Sequence, residues 1–133
     1  MIVLDTSATI DFLKGDKEVV DSIGSTQKSS RPLAITTITL FELLHPIYHR
    51  KLERHERIIR AFSRQIPVLG LDFAAAEESA RLMGSLLRIG RPVNALDVLV
   101  AGIAASNGVH ALITRDKDFE NISKVTGLRI LVV

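Results

Sequence analysis

A chain of 133 residues without a cysteine, 47 % hydrophobic and with a net charge of only +2, is long enough to bury one core by packing alone. It offers no disulfide framework and no thiolate metal site, and its total charge does not by itself announce a polyanionic partner. The opening Met-Ile-Val-Leu-Asp-Thr-Ser has no basic leader region and no apolar run approaches the roughly 18 residues of a membrane span, so neither secretion nor membrane insertion is expected, and a reducing cytoplasm fits.

In chain order, residues 2–4 read as a short buried strand, and helical periodicity follows over residues 8–14 and 17–24. The polar run from Gly24 to Ser30 reads as a loop too short to separate domains. After the Arg31-Pro32 break a second strand is predicted at residues 33–36, then helices at 40–49 and 52–65. Pro67 opens a third strand at 68–69, and a long helix over 73–89 ends at Gly90-Arg91-Pro92. The next helix, 95–106, stops at Asn107-Gly108, before strands at 111–114 and 129–132. Such alternation predicts an α/β fold, a mostly parallel sheet of about five strands covered by helices on both faces, as a single domain over residues 1–133.

That scheme gathers acids. Asp5 directly follows the first strand, Glu42 lies in the first turn after the second, and Asp116 comes two residues past the fourth. Residues just beyond the carboxyl ends of parallel strands share one edge, where ligands bind. The helix bearing Asp97 runs antiparallel to the strand it precedes, so its N-terminus returns to the same edge. Each acid taken singly is as well explained by helix capping: Thr39-x-x-Glu42 matches a capping box, Asn94-x-x-Asp97 resembles one, and Asp5 can cap the helix after it. Together they are not. Two carboxylates 4 Å apart repel by about 4 kcal/mol at an effective dielectric of 20, against the roughly 1 kcal/mol of a cap. A divalent cation reverses that sign, and oxygen ligands without His or Cys select magnesium or manganese over zinc. Asp118 is a further ligand candidate, with an N-cap role as its alternative. Thr6 and Thr114 suit hydrogen bonding to ligand carboxylates, while an ordinary turn or cap hydroxyl is the favoured reading of Ser7.

The ordered set Ile2-Val3-Leu4-Asp5-Thr6-Ser7, Thr39-x-x-Glu42-Leu43, Asn94-Ala95-Leu96-Asp97-Val98-Leu99-Val100-Ala101 and Leu112-Ile113-Thr114-Arg115-Asp116-Lys117-Asp118-Phe119 resembles PIN-domain nucleases, specifically the VapC type of toxin from toxin–antitoxin pairs. The resemblance runs from end to end of the chain and fills all four of the family's acid positions. It implies a three-layer α/β/α fold, a metal-dependent endoribonuclease, an antitoxin partner that blocks the site, and a homodimer.

The expected chemistry is hydrolysis of an RNA phosphodiester by water activated at one or two magnesium or manganese ions, leaving a 5′-phosphate and a 3′-hydroxyl. Asp5, Asp97 and Asp116 are the expected ligands, with Glu42 as a further ligand or proton acceptor. Lys14, Arg115 and Lys117 lie near the acidic edge and are candidates for drawing a phosphate inward. Arg50, Arg54, Arg57 and Arg64 form a basic stripe for RNA or, equally, a solvated face paired with Glu53 and Glu56. His45 and His49, an i,i+4 pair, lack the helical Glu of a zinc protease and read as structural, and His55 and His110 are set aside as general bases. Two rival readings remain at this level: a receiver-like domain with Asp72 as phosphoacceptor, and an interaction module using the apolar helices at 8–14 and 40–49.

Overall fold

The computed structural model describes residues 1–27 and 31–133; positions 28–30 of the expected polar loop lie outside the described residues. Strands β1 (Ile2–Leu4), β2 (Leu33–Thr36), β3 (Val68–Leu69), β4 (Ala111–Thr114) and β5 (Ile130–Val132) form one sheet in the order β3-β2-β1-β4-β5. Every pairing in it is parallel. The described helices are α1 (Thr6–Leu13), α2 (Lys17–Thr26), α3 (Thr37–Arg50), α4 (Glu53–Gln65), α5 (Phe73–Arg88), α6 (Ala95–Ser106) and α7 (Phe119–Ser123).

The two-residue periodicity of the strands divides the core in two. Val3, Ala34 and Leu112 point to one side and pack with Leu82 and Leu86 of α5, Val98, Val100, Ala101 and Ala104 of α6, and Phe119 and Ile122 of α7. Ile2, Leu4, Ile35 and Ile113 point to the other and pack with Ala8 of α1, Val19 and Ile23 of α2, and Phe62 of α4. A smaller cluster of Leu43, Ile47 and Ile59 joins α3 to α4. Three layers follow directly from this alternation. Helix α6 is apolar nearly all round because it is buried from Val100 through Ala104. It meets α5 so closely that a Cβ at Gly102 would fall 1.9 Å from Ser79 Oγ.

Helix starts differ from expectation for identifiable reasons. Asp5 accepts from the Ala8 N–H at 2.8 Å and caps α1, which therefore begins at Thr6 rather than residue 8. Helix α3 begins at Thr37 because Thr36 caps it through the Thr39 N–H at 3.1 Å. The expected capping box of Thr39 and Glu42 is thus corrected: Thr39 is inside the helix and Glu42 lies in its second turn. Lys51, left-handed at φ 54°, ends α3, so Arg50 and Arg54 belong to different helices and the basic stripe is not one helical face. Helix α2 extends to Thr26, two residues past its expected end at Gly24. A short helix, α7, which is not among the elements expected from the sequence, follows Asp118. Among the described residues, no helix is long and apolar enough to cross a membrane.

The register pairs Leu4 with Ile113, so β1 and β4 end side by side. From β1 the chain proceeds toward β2 and β3 on one side, and β4 returns on the other. This is the switch point of the sheet, where connections diverge and leave a crevice.

Candidate metal centre

The crevice is filled from four elements. Asp5 leaves β1 in extended conformation and is 4 % exposed. Thr114, fully buried at the end of β4, donates to Asp5 Oδ2 at 2.5 Å and accepts from the Asp116 N–H at 2.9 Å. Ser7 forms a parallel relay, donating to Asp5 Oδ1 at 2.8 Å and accepting from the Arg115 N–H at 3.0 Å. Ser7 is therefore bound to the acid, and the reading of it as an ordinary turn hydroxyl is corrected. Its place in the first helical turn, two residues after the cap, was the signal for this contact.

On the β2 side Thr6 donates to Glu42 Oε1 at 2.6 Å, with Thr39 Oγ1 3.3 Å from the same hydroxyl. The supporting roles expected of Thr6 and Thr114 thus correspond to contacts with two of the four acids. Asn94 accepts from the Leu96 N–H at 2.8 Å and caps α6, which sets Asp97 in its first turn.

Carboxylate oxygens of Asp97, Asp116 and Asp118 all lie within 4.8 Å of one another. Asp118, which sequence reasoning ranked behind Asp116, stands inside this set, held by its N–H on Asp116 Oδ1 at 2.9 Å. Asp5 and Glu42 are outside it, each already engaged by hydroxyl donors, but their charges still reach Asp97. Burial first, then Asp116, Asp5, Glu42 and Asp118, push the Asp97 carboxyl up to about 7. Burial also raises Asp5, against the hydrogen bonds from Thr114, the Ala8 N–H and Ser7. Such a cluster is unfavourable when every member is ionised. Its donor set, all carboxylate oxygen with no His or Cys among the grouped atoms, fits magnesium or manganese.

The remaining candidates fall elsewhere. Arg115 is committed to ion pairs with Asp11 at 3.0 Å, Glu18 at 3.1 Å and Asp16 at 3.7 Å, so its charge is not free to receive a phosphate, as the sequence had suggested. Lys117 is exposed between Asp116 and Asp118, and Lys14 is exposed at the end of α1. Arg50, Arg54, Arg57 and Arg64 are exposed. Glu56 pairs instead with Arg60, at 3.0 Å. His45 stacks on Phe41 with ring centroids 5.4 Å apart, His55 lines an apolar groove, and His110 sits 3.4 Å from Arg129. Asp72 caps α5 through the Ala75 N–H at 2.9 Å, the ordinary use of an acid at that position.

This fold, with acids converging at the switch point, is that of a PIN domain: the PIN domain family model matches residues 2–125, and the chain belongs to that family. Within the family its relatives are of the VapC type. It is 35 % identical over 98 residues, 73 % of this chain and 72 % of the relative, to a tRNA(fMet)-specific endonuclease VapC of Shigella flexneri. The crystal structure of DNA-bound VapBC from Salmonella typhimurium superposes with a TM-score of 0.78 at 28 % identity, covering 97 % of this chain and 95 % of that one. VapBC-5 of Mycobacterium tuberculosis, described as a member of the VapBC family of toxin–antitoxin systems, gives a TM-score of 0.73 at 28 % identity, covering 98 % and 97 %. The receiver-like reading is set aside by this membership.

Proposed function

We propose that this protein is a magnesium- or manganese-dependent endoribonuclease of the cytoplasm, the toxin of a toxin–antitoxin pair. The observation that carries the proposal is the convergence of Asp97, Asp116 and Asp118 within 4.8 Å beside Asp5 and Glu42. In this reading Asp97, Asp116 and Asp118 hold the ion, with Asp5 close by as a further ligand. The ion, when bound, supplies Lewis acidity and positive charge against the phosphodiester. Thr114 and Ser7 fix the Asp5 carboxylate so that it does not turn away as charge develops. Glu42, half-buried and held at one oxygen by Thr6, is the group we assign to take the proton from the attacking water. Lys117 and Lys14 attract the RNA backbone, and the arginines of α4 with Arg50 extend that field outward.

Transfer RNA is the substrate class to test first, given the named activity of the VapC relative. The antitoxin is assigned to an apolar groove of about 390 Å³ between α1, α3 and α4, lined by Ile10, Leu13, Pro46, Ile47, Ile58 and Ile59. Glu42 and Lys14 also line it, so an occupant would lie against the acids. A second copy is assigned to the apolar groups left uncovered elsewhere, among them Phe73, 84 % exposed, and Phe41, 57 % exposed. The deciding experiment incubates the purified chain with tRNA and with unstructured RNA, in manganese, magnesium or chelator, beside Asp97→Asn. Cleavage leaving 5′-phosphate ends, lost with chelator and in the variant, is expected. Cleavage that survives either treatment, or a cyclic phosphate product, rules the proposal out.

A further inference from the structure

Beyond Thr114 the chain leaves the sheet, and the next four residues carry Asp116 and Asp118, two of the three clustered acids. Those acids repel each other and Asp97 when ionised, so keeping them together calls for anchors at both ends of the segment. Phe119, fully buried, anchors its far end. At its near end the anchor is Arg115. The guanidinium donates through Nε to Asp11 on α1 at 3.0 Å and through Nη1 to Glu18 on α2 at 3.1 Å. Nη1 also reaches the Val133 carbonyl at 3.2 Å, and Nη2 lies 3.7 Å from Asp16, the cap of α2.

One side chain therefore ties the segment that bears Asp116 and Asp118 to α1, the helix that Asp5 caps. As a surface ion pair alone it would add little to stability. Its charge is also the wrong sign for a neighbour of a cation site, since a nearby positive group opposes metal binding by Coulomb repulsion. A rigid fork fits the fixing of geometry, because it spreads its donors over several acceptors at set angles.

We propose that Arg115 is a positioning residue that holds Asp116 and Asp118 in register with Asp5 for the metal ion; this rests on the metal-centre reading above. The test is calorimetric titration of the metal-free full chain with manganese chloride at 25 °C, for the natural protein, Arg115→Ala and Arg115→Lys, with the melting temperature of each recorded without metal. The natural chain is expected to bind, Arg115→Ala about tenfold more weakly, and Arg115→Lys several-fold more weakly although its charge is unchanged. Charge removal alone would tighten binding in the alanine variant, so weakening reports lost geometry. Unchanged or tighter binding in a folded variant overturns the assignment. If Arg115→Ala is not folded at 25 °C, Arg115→Lys decides alone. Absence of manganese binding by the natural chain would instead sink the metal-centre reading beneath it.

Discussion

Replacing Asp97 by Asn is expected to abolish cleavage and yet to stabilise the metal-free protein. In the fold the Asp97 carboxyl is pushed from its ordinary 3.8 to about 7, first by burial and then by the charges of Asp116, Asp5, Glu42 and Asp118. An acid raised in the folded state is ionised more readily in the unfolded chain. Between about pH 4 and pH 7 the folded chain therefore holds the extra proton, and unfolding stability falls as pH rises through that window. Each pKa unit corresponds to about 1.4 kcal/mol, so the full displacement amounts to roughly 4 kcal/mol, and water at this half-buried position reduces it to about 2. Above pH 7 the natural chain carries that strain and Asp97→Asn does not. At pH 8 in chelator the variant should melt roughly 5–10 °C higher, and at pH 4 the two should coincide. Added manganese should raise the natural chain's melting temperature and leave the variant's nearly unchanged. A variant less stable than the natural chain at pH 8 in chelator would refute the electrostatic account of the cluster.

Thr114→Val removes both the donor to Asp5 and the acceptor of the Asp116 N–H; a loss of about 2 kcal/mol in urea unfolding and roughly tenfold weaker manganese binding are expected, and full retention of both would deny the relay. Gly102→Ala places a methyl group 1.9 Å from Ser79 Oγ and 2.8 Å from its Cα. It should cost at least about 2 kcal/mol by separating α5 from α6, whereas a neutral result would show that the two helices have slack. On the inactive Asp97→Asn background, replacing Arg54, Arg57 and Arg64 together by Ala should lower the slope of log affinity for single-stranded RNA against log salt by about two. An unchanged slope would place the RNA path away from α4.

Much of the fold was legible because its elements are bounded by strong local signals. Arg31-Pro32, Pro67 and Asn107-Gly108 punctuate the chain, and the two-residue alternation of Ile2, Val3 and Leu4 assigns each side chain to a layer. Helix starts were harder, since several hydroxyl residues stand in a row. Thr36, Thr37 and Thr39 each have the chemistry of a cap, and strand pairing that runs to Thr36 decides among them. The acids could be brought to one edge from topology alone. Their inner arrangement could not: that Asp118 joins Asp97 and Asp116 within 4.8 Å while Ser7 and Thr114 engage both oxygens of Asp5 depends on side-chain placement that topology does not fix. The ion pairs of Arg115 are hidden from the sequence for a related reason: Asp11, Asp16 and Glu18 are about a hundred residues away and meet it only after α1 and α2 pack on the sheet.

The bond from Thr114 to Asp5 joins residues 109 positions apart, and β1 in mid-sheet waits for β4 as its partner. During synthesis, then, a growing chain that displays Asp5 and Glu42 has no second wall to its crevice until residue 118 has emerged from the ribosome. Under the proposed function, a half-made copy is harmless to the RNAs of the translation machinery that is producing it.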